Sequence, residues 1–335
     1  MTKILITGAS GFIGSFIAEA AVDAGFETYA GIRSTSSKKY LKKEGLHFFE
    51  LDFSEKTKIK KYLSDFKKAN GKFDYIVHCA GVTKCVNKSD FITVNYSQTK
   101  DFVDTLLELD MIPAQFIYIS TLSVFGPIQE ESYKPICEND IKNPNTAYGI
   151  SKLKSERYLE SLEGFPYVIF RPTGVYGPRE KDYFLMVDSI KKHLDFSVGY
   201  KRQDLTFVYV KDLVQAVFLA IDKKVKRRAY FVTDGEVYTS RAFSDLIKQE
   251  LGNPCVIHIK SPLFILKIIS LFAEFISRLF GKSSTLNSDK YNIMKQRNWQ
   301  CDITPTQIEL GYIPQYKLDK GVKETVSWYK KEQWI

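Results

Sequence analysis

The feature that most constrains this chain is a glycine-rich turn near its N-terminus. An apolar run at 3–7 leads into Gly-Ala-Ser-Gly-Phe-Ile-Gly at 8–14, and helical spacing of apolar residues follows. Glycines at this spacing permit a sharp turn, let backbone N–H groups approach a pyrophosphate and allow a helix to pack closely on a strand. The pattern predicts a dinucleotide site formed by Gly8, Ser10, Gly11, Phe12, Ile13 and Gly14. An ordinary turn between a strand and a helix is the alternative.

Short apolar runs alternate with helical patterns through the first half of the chain. The runs at 26–32, 46–51, 75–80, 115–119 and 167–170 predict further strands, with helical periodicity in segments such as 55–68. This alternation predicts an α/β fold: a Rossmann-type doubly wound parallel sheet with a smaller C-terminal α/β substrate-binding lobe. Ligands of such sheets bind where the strands end, so Asp52, Phe53, Ala80 and Gly81 are predicted cofactor contacts.

The length of 335 residues suits a nucleotide-binding domain with an additional lobe. We predict an NAD(P)-binding domain over 1–180, with 202–235 returning to it, and a substrate-binding lobe over 181–201 and 236–335.

The five cysteines are scattered without a C-x-x-C pair, which argues against disulfides and a metal site and favours a reducing cytoplasm. The first residues enter a core strand directly, which leaves no room for a signal peptide.

The net charge of +9 raises the question of a nucleic-acid partner. The basic clusters are spread over several predicted loops and helices, and no recognised nucleic-acid motif accompanies them. We therefore expect a small-molecule substrate rather than nucleic acid. The basic residues form either a solvated surface or one that attracts phosphorylated small molecules.

The second predicted strand ends at Arg33, where NAD-binding versions of this unit carry an acid that hydrogen-bonds the adenosine 2′-hydroxyl. A carboxylate would repel a 2′-phosphate, whereas a guanidinium followed by Ser34, Thr35 and Ser36 could bind one with charge-assisted hydrogen bonds. The sequence therefore favours NADP over NAD as cofactor. The alternative is that Arg33 only ends an exposed strand.

Tyr148 and Lys152 are four residues apart in a helical pattern, which places them on one face. A phenol is too weak a base at neutral pH, but a neighbouring ammonium and a cationic nicotinamide stabilise its phenolate. The pair could pass a proton to or from a carbinol oxygen that Thr121 also hydrogen-bonds. The same spacing occurs in other pairs that we interpret as surface or packing residues: Tyr96 and Lys100, Tyr291 and Lys295, Tyr316 and Lys320.

Together these residues resemble the extended short-chain dehydrogenase/reductase family, also called the NAD-dependent epimerase/dehydratase family. The matching signals span about the first 180 residues: the glycines at 8, 11 and 14, Asp52, the strand end at 77–81, Asn95, Ser120-Thr121, Tyr148 with Lys152, and 171–178. The resemblance implies that Thr121, Tyr148 and Lys152 are catalytic and that Lys152 also holds the nicotinamide ribose. It further implies that Asn95 belongs to the cofactor site and that Pro172 and Val175 lie near the nicotinamide.

Two departures from the family pattern bear on the reaction. Sugar-nucleotide 4,6-dehydratases carry an Asp-Glu pair after the catalytic threonine, where this chain has Leu122 and Ser123, so dehydration by that route is not expected. Many sugar-nucleotide enzymes carry an asparagine where Gly174 stands. With Arg33, these departures favour a dehydrogenase or reductase resembling dihydroflavonol reductases and 3β-hydroxysteroid dehydrogenases. A nucleotide-sugar epimerase that retains its cofactor is the alternative, followed by a non-catalytic NAD(P) sensor.

The segment 262–280 is apolar apart from one narrow polar stripe at helical spacing, formed by Lys267, Ser270, Glu274, Ser277 and Arg278. Its charges argue against a transmembrane span. We expect core packing or a homodimer contact for this helix. The alternatives are that it covers a pocket for an apolar substrate or rests on a membrane surface.

Overall fold

The computed structural model describes residues 1–281 and 284–335, without the side chain of Arg278. The chain divides into two compact units. Unit 1 comprises Met1–Thr121, Ala147–Arg171 and Val214–Tyr230, and unit 2 comprises Leu122–Thr146, Pro172–Leu213 and Phe231–Ile335. The predicted domain bounds stay a prediction.

The strands are, in chain order, β1 (Lys3–Thr7), β2 (Glu27–Ile32), β3 (Leu46–Glu50), β4 (Tyr75–His78), β5 (Gln115–Ile119), β6 (Tyr167–Pro172), β7 (Gly174–Tyr176), β8 (Leu194–Val198), β9 (Asp204–Leu205), β10 (Phe207–Tyr209), β11 (Arg228–Val232), β12 (Tyr238–Thr239) and β13 (Ile257–Ser261). The α-helices are α1 (Phe12–Asp23), α2 (Lys56–Asn70), α3 (Lys88–Phe91), α4 (Gln98–Glu108), α5 (Ala147–Ser161), α6 (Asp182–Lys191), α7 (Val210–Asp222), α8 (Ala242–Glu250), α9 (Leu263–Leu279), α10 (Ser288–Lys295), α11 (Thr304–Leu310) and α12 (Leu318–Lys331).

A seven-stranded sheet organises the first unit, in the order β11-β6-β5-β4-β1-β2-β3. β1 pairs in parallel with both β2 and β4, so the strand order reverses beside β1. Every residue of β5 is buried, as expected for a strand in the middle of a sheet with helices on both faces. The predicted Rossmann-type sheet is confirmed, and ligands of such sheets bind where the strand order reverses.

The predicted strands agree closely with those observed, and the differences lie at their ends. β4 stops at His78 rather than at residue 80, and β6 continues to Pro172. Helix α4 is preceded by α3 and by a π-helix, Ile92–Ser97. π-helical turns are rare and often occur at functional sites, and this one contains Asn95.

Unit 2 contains three two-stranded sheets, β7 with β10, β9 with β12, and β8 with β13. Its core is rich in aromatic residues, with Tyr176, Tyr209 and Phe243 among the buried side chains. The expected core packing of the apolar helix is wrong for most of α9, because most of its large apolar side chains are exposed. Within the described residues, no helix is long and apolar enough to cross a membrane.

Candidate active site

The glycine turn at residues 8–11 places glycine backbone, which carries no Cβ atom, next to the start of α1. Gly8 has a left-handed φ of 64°, and a Cβ at this position would lie 2.8 Å from the backbone of Ala80. A Cβ on Gly14 would collide with the carbonyl oxygen of Gly8. Gly11 precedes the first residue of α1, and no side chain caps that end of the helix. This open helix N-terminus fits the pyrophosphate of a dinucleotide.

A cavity of about 280 Å³ lies beside the glycine turn, entirely within unit 1. Eight of the predicted cofactor contacts line it: Gly8, Ser10, Gly11, Arg33, Asp52, Phe53, Ala80 and Gly81. Of the other predicted residues, Phe12, Ile13, Gly14, Asn95, Tyr148 and Lys152 lie outside its wall. Ser36, which the sequence pointed to together with Arg33, also lines it. Sequence reasoning missed further lining residues: Gly31, Ile32, Leu51, Ser54, His78, Cys79, Val82, Val94 and Gln98. Most of these residues lie next to predicted contacts, at the ends of β2, β3 and β4. That proximity along the chain could have identified them.

Arg33 and Asp52 contribute opposite charges to this cavity. The backbone N–H of Arg33 donates to Ser36 Oγ at 3.1 Å, which makes a tight turn directly after β2. Asp52 accepts hydrogen bonds from the backbone N–H and the hydroxyl of Ser54, both at 2.9 Å. The backbone bond is the main reason that the pKa of Asp52 is lowered, so its carboxylate is ionised at neutral pH.

His78 supports the wall of the cavity through a chain of hydrogen bonds. The N–H of Ala80 donates to Thr7 Oγ1 at 3.2 Å, and the Thr7 hydroxyl bonds His78 Nδ1 at 2.8 Å. On the other side, His78 Nε2 bonds Thr99 Oγ1 at 3.0 Å, and that hydroxyl donates to the carbonyl of Asn95 at 2.8 Å. Because the Thr99 hydroxyl already donates to Asn95, Nε2 carries a proton, and in a neutral imidazole Nδ1 then accepts from the Thr7 hydroxyl. Burial lowers the pKa of His78 to about 3, in agreement.

Asn95 connects the loop after β4 to helix α5. Its Oδ1 accepts the N–H of Val82 at 2.8 Å, and its Nδ2 donates to the carbonyl of Val82 at 3.0 Å and to Ser151 Oγ at 2.9 Å. The Ser151 hydroxyl donates in turn to the carbonyl of Tyr148 at 2.7 Å. The structure thus gives Asn95 a positioning role, and its predicted contact with the cofactor stays a prediction.

Thr121, Tyr148 and Lys152 come together within unit 1. Thr121 follows β5, and its hydroxyl and that of Tyr148 are hydrogen-bonded to one another. Lys152, one turn further along α5, is buried, and its ammonium donates to the carbonyl of Ile119 at 2.8 Å. A Cβ on Gly81 would lie 3.5 Å from Lys152 Nζ, so the ammonium stands directly behind the cavity wall.

Burial decides the protonation of these groups in the protein by itself. The predicted phenolate also depends on a cationic nicotinamide and stays a prediction. Burial raises the pKa of Tyr148 to about 12, although the hydrogen bond from Thr121 acts in the opposite direction. Burial lowers the pKa of Lys152 to about 8. The protein's own groups therefore leave Tyr148 as a neutral phenol at neutral pH, because desolvation outweighs the polar contacts.

A buried ion pair holds α5 against the ends of β5 and β6. Arg171 donates from Nε to Glu156 Oε1 at 3.1 Å and from Nη2 to Glu156 Oε2 at 2.9 Å. The hydroxyl of Ser120 donates to the same carboxylate at 2.5 Å. Ser120 precedes Thr121 in the chain. The Glu156 carboxylate therefore connects the segment that carries Thr121 to α5, the helix that carries Tyr148.

The remaining predicted cofactor residues, Pro172 and Val175, belong to unit 2. Pro172 ends β6, and Val175 lies in β7 opposite Val208 of β10. In the same segment, a Cβ on Gly174 would collide with the hydroxyl of Tyr183. A larger residue at position 174, such as the asparagine that many sugar-nucleotide enzymes carry there, would need the Tyr183 side chain to shift.

The other Tyr-x-x-x-Lys pairs make different contacts. Lys100 donates to Asp104, whereas Lys320 lies 4.1 Å from the ring centroid of its own partner, Tyr316. The Tyr316 ring is in turn stacked on Tyr209. These contacts agree with surface and packing roles.

Comparison with known proteins places this geometry in a family. The family model described as NAD dependent epimerase/dehydratase family matches residues 4–233. The sterol-4-alpha-carboxylate 3-dehydrogenase (decarboxylating) of Dictyostelium discoideum is 25% identical over 97% of this chain and 100% of its own length. The UDP-glucose 4-epimerase of Vibrio cholerae is 25% identical over 96% of this chain and 94% of its own length.

Solved structures agree on the fold. The UDP-glucose 4-epimerase of Thermotoga maritima, determined with UDP-glucose, is 21% identical and superposes with a TM-score of 0.78 over 99% of this chain and 100% of its own. The dTDP-glucose 4,6-dehydratase of Bacillus anthracis, in complex with NAD, is 18% identical with a TM-score of 0.78 over 100% of this chain and 98% of its own. The resemblance seen in the sequence is confirmed: the chain belongs to the NAD dependent epimerase/dehydratase family, as an enzyme of the extended short-chain dehydrogenase/reductase type.

Proposed function

We propose that this protein is an NAD(P)-dependent oxidoreductase that transfers hydride between the nicotinamide and a secondary alcohol or ketone, with Tyr148 as general acid/base. The observation that carries the proposal is the hydrogen bond between the hydroxyls of Thr121 and Tyr148, one helical turn from the buried ammonium of Lys152. This arrangement offers a proton and a second hydrogen bond to one substrate oxygen, which is what reduction of a carbonyl requires.

The nicotinamide, when bound, supplies or accepts the hydride. The phenol of Tyr148 donates its proton to the carbonyl oxygen, and Thr121 holds the same oxygen by a hydrogen bond. The ammonium of Lys152 favours the phenolate that remains and, by family resemblance, holds the nicotinamide ribose. Because the pKa of Tyr148 is raised to about 12, the side chain carries its proton at neutral pH, which is the form that a general acid needs in ketone reduction.

Tyr148→Phe tests the acid/base assignment. We expect turnover of NADPH with a panel of ketones to fall by at least about a hundredfold, since general acid catalysis is worth that much. Stabilisation of the variant by added nucleotide in a thermal-shift assay should be retained. Tyr96→Phe is the matched control, from another Tyr-x-x-x-Lys pair, and should keep full activity. Retained turnover in Tyr148→Phe would refute the assignment.

A nucleotide-sugar epimerase is the second candidate, because full-length relatives carry that name. Such an enzyme would retain its cofactor and isomerise UDP-glucose without net consumption of NAD(P)H. Gly174 favours the reductase, since many sugar-nucleotide enzymes carry an asparagine at that position. Incubation with UDP-glucose and analysis of the sugar products would separate the two. Nucleotide binding without either reaction would favour a sensor.

For the cofactor we propose a preference for NADP. Arg33 and Ser36 line the cavity together at the end of β2, where a guanidinium and a hydroxyl could bind a 2′-phosphate. Arg33→Ala should weaken NADPH binding roughly tenfold or more, as expected for a charge-assisted hydrogen bond, and leave NADH binding unchanged. Lys38→Ala, a nearby exposed cation, is the control. Equal loss for both nucleotides would exclude the preference.

We also propose a cytoplasmic location. All five cysteines are free thiols, as is usual in a reducing compartment.

A further inference from the structure

Helix α9 places its apolar side chains outward and part of its polar stripe inward. Ser270 is fully buried, and its hydroxyl donates to the carbonyl of Leu266 at 2.7 Å. Glu274, one turn further, accepts the backbone N–H of Ser288 at 2.9 Å. Ser270 thus bonds within its own helix, whereas Glu274 bonds the first residue of α10. Both polar residues lie on the side that faces the protein, whereas an ordinary surface helix turns its polar residues to solvent.

The outward face is a continuous row of large apolar residues, which we call the α9 stripe. Phe264, Ile268, Phe272, Phe275 and Leu279 follow one another at spacings of three or four residues, and each is 60–66% exposed. Soluble proteins rarely expose a contiguous apolar surface of this size without a binding partner.

The segment before α9 exposes a second apolar surface. In the parallel pair β8–β13, Ile259 lies opposite Phe196, and Ile257 points to the same side as Ile259 because strand side chains alternate. All three side chains are exposed. The chain passes directly from β13 through Pro262 into α9, so the exposed isoleucines of β13 and the α9 stripe belong to one short segment.

The charges of this segment indicate what covers it. Between residues 257 and 281 the sequence contains Lys260, Lys267 and Arg278 but one acid, Glu274, whose carboxylate holds Ser288. Lys260 and Lys267 are exposed. Lys267 and Arg278 are eleven residues apart, about three helical turns, so both backbone positions lie along the same edge of the helix.

A second copy of this chain fits the segment poorly. In a symmetric dimer the same surface faces itself, so two segments of net positive charge would pack against each other. An anionic lipid surface instead attracts each cation and receives the apolar side chains at the boundary between headgroups and acyl chains.

We propose that the α9 stripe docks on an anionic lipid surface, with the helix parallel to the membrane plane and Lys267 at the headgroups. The exposed phenylalanines enter the acyl boundary, while the buried Ser270 and Glu274 side of α9 stays attached to the protein. The interaction is peripheral, and it does not depend on which reaction the enzyme catalyses.

Co-sedimentation of the full chain with lipid vesicles tests this proposal. We expect binding to vesicles of phosphatidylcholine mixed with phosphatidylglycerol and much weaker binding to phosphatidylcholine alone. The double variant Phe264→Ser, Phe272→Ser should lower the partition coefficient by at least about tenfold, given the free energy of burying each phenylalanine. Lys267→Glu should lower it roughly tenfold for the anionic vesicles only.

Ile308→Ser is the matched control, because Ile308 is an exposed apolar residue of unit 2 outside this segment. It should bind vesicles like the parent, and all variants should keep the parent's melting temperature and its thermal shift with nucleotide. Absence of vesicle binding, or equal binding by the double variant, would overturn the proposal. So would a parent dimer in analytical ultracentrifugation that the double variant dissociates while neither protein binds vesicles.

Discussion

Removing one charge from the Glu156–Arg171 pair should destabilise the protein and disturb the catalytic group at the same time. Glu156 is fully buried and Arg171 nearly so, and the guanidinium donates to both carboxylate oxygens. Glu156→Gln keeps the size of the side chain and one acceptor oxygen for Ser120. It leaves the Arg171 cation without its buried counter-ion and places an amide N–H group against guanidinium N–H groups.

The expected loss in the free energy of unfolding is about 3–5 kcal/mol, the usual result of removing one partner from a buried pair. That is a large share of the roughly 5–15 kcal/mol by which native proteins are stable. Because Ser120 donates to the same carboxylate and precedes Thr121, we also expect kcat to fall through misplacement of the threonine hydroxyl.

Urea unfolding followed by circular dichroism measures the loss, and Glu160→Gln provides the control. The Glu160 carboxylate lies 3.7 Å from the same guanidinium but is 35% exposed, so its removal should cost no more than about 1 kcal/mol. Equal losses for the two variants would show that the buried pair does not stabilise this part of the fold.

Two further predictions concern the same unit. Because burial lowers the pKa of Lys152 to about 8, its ammonium loses a proton as the pH rises through that value, and kcat/KM should fall above about pH 8. Lys152→Arg should move this decrease in kcat/KM to higher pH. An unchanged pH profile would contradict the role of the Lys152 ammonium. Gly8→Ala should abolish the thermal shift with nucleotide, because the new Cβ would meet the backbone of Ala80. Gly25 is also at positive φ but has open space around it, so Gly25→Ala should lower the free energy of unfolding by about 1–2 kcal/mol and keep nucleotide binding.

The sheet of unit 1 was largely predictable because its signals are local. The apolar run at 115–119 coincides with β5, and the glycine spacing identified the turn at which Gly8 adopts a positive φ. Short-range patterns of this kind report on backbone conformation directly. They also predict Thr121, Tyr148 and Lys152 as catalytic candidates.

The polar connections of the site could not be predicted in this way. Ser120 lies 36 residues from Glu156 in the chain, and Thr7 lies 71 residues from His78, yet each pair forms a buried hydrogen bond. Nothing in the local sequence links such residues, because their contact depends on how the sheet and helices pack. The raised pKa of Tyr148 has the same origin, since burial is a property of the folded chain.

Helix α9 shows most clearly which properties the sequence determines and which depend on the tertiary structure. By itself the sequence determined that 262–280 forms a helix with one narrow polar stripe, because the spacing of Lys267, Ser270 and Glu274 has a helical period. Only the tertiary structure decided which side faces the protein. Helical periodicity places residues on a face but not against a partner, and here Ser270 is buried while Phe264 and Phe272 are exposed.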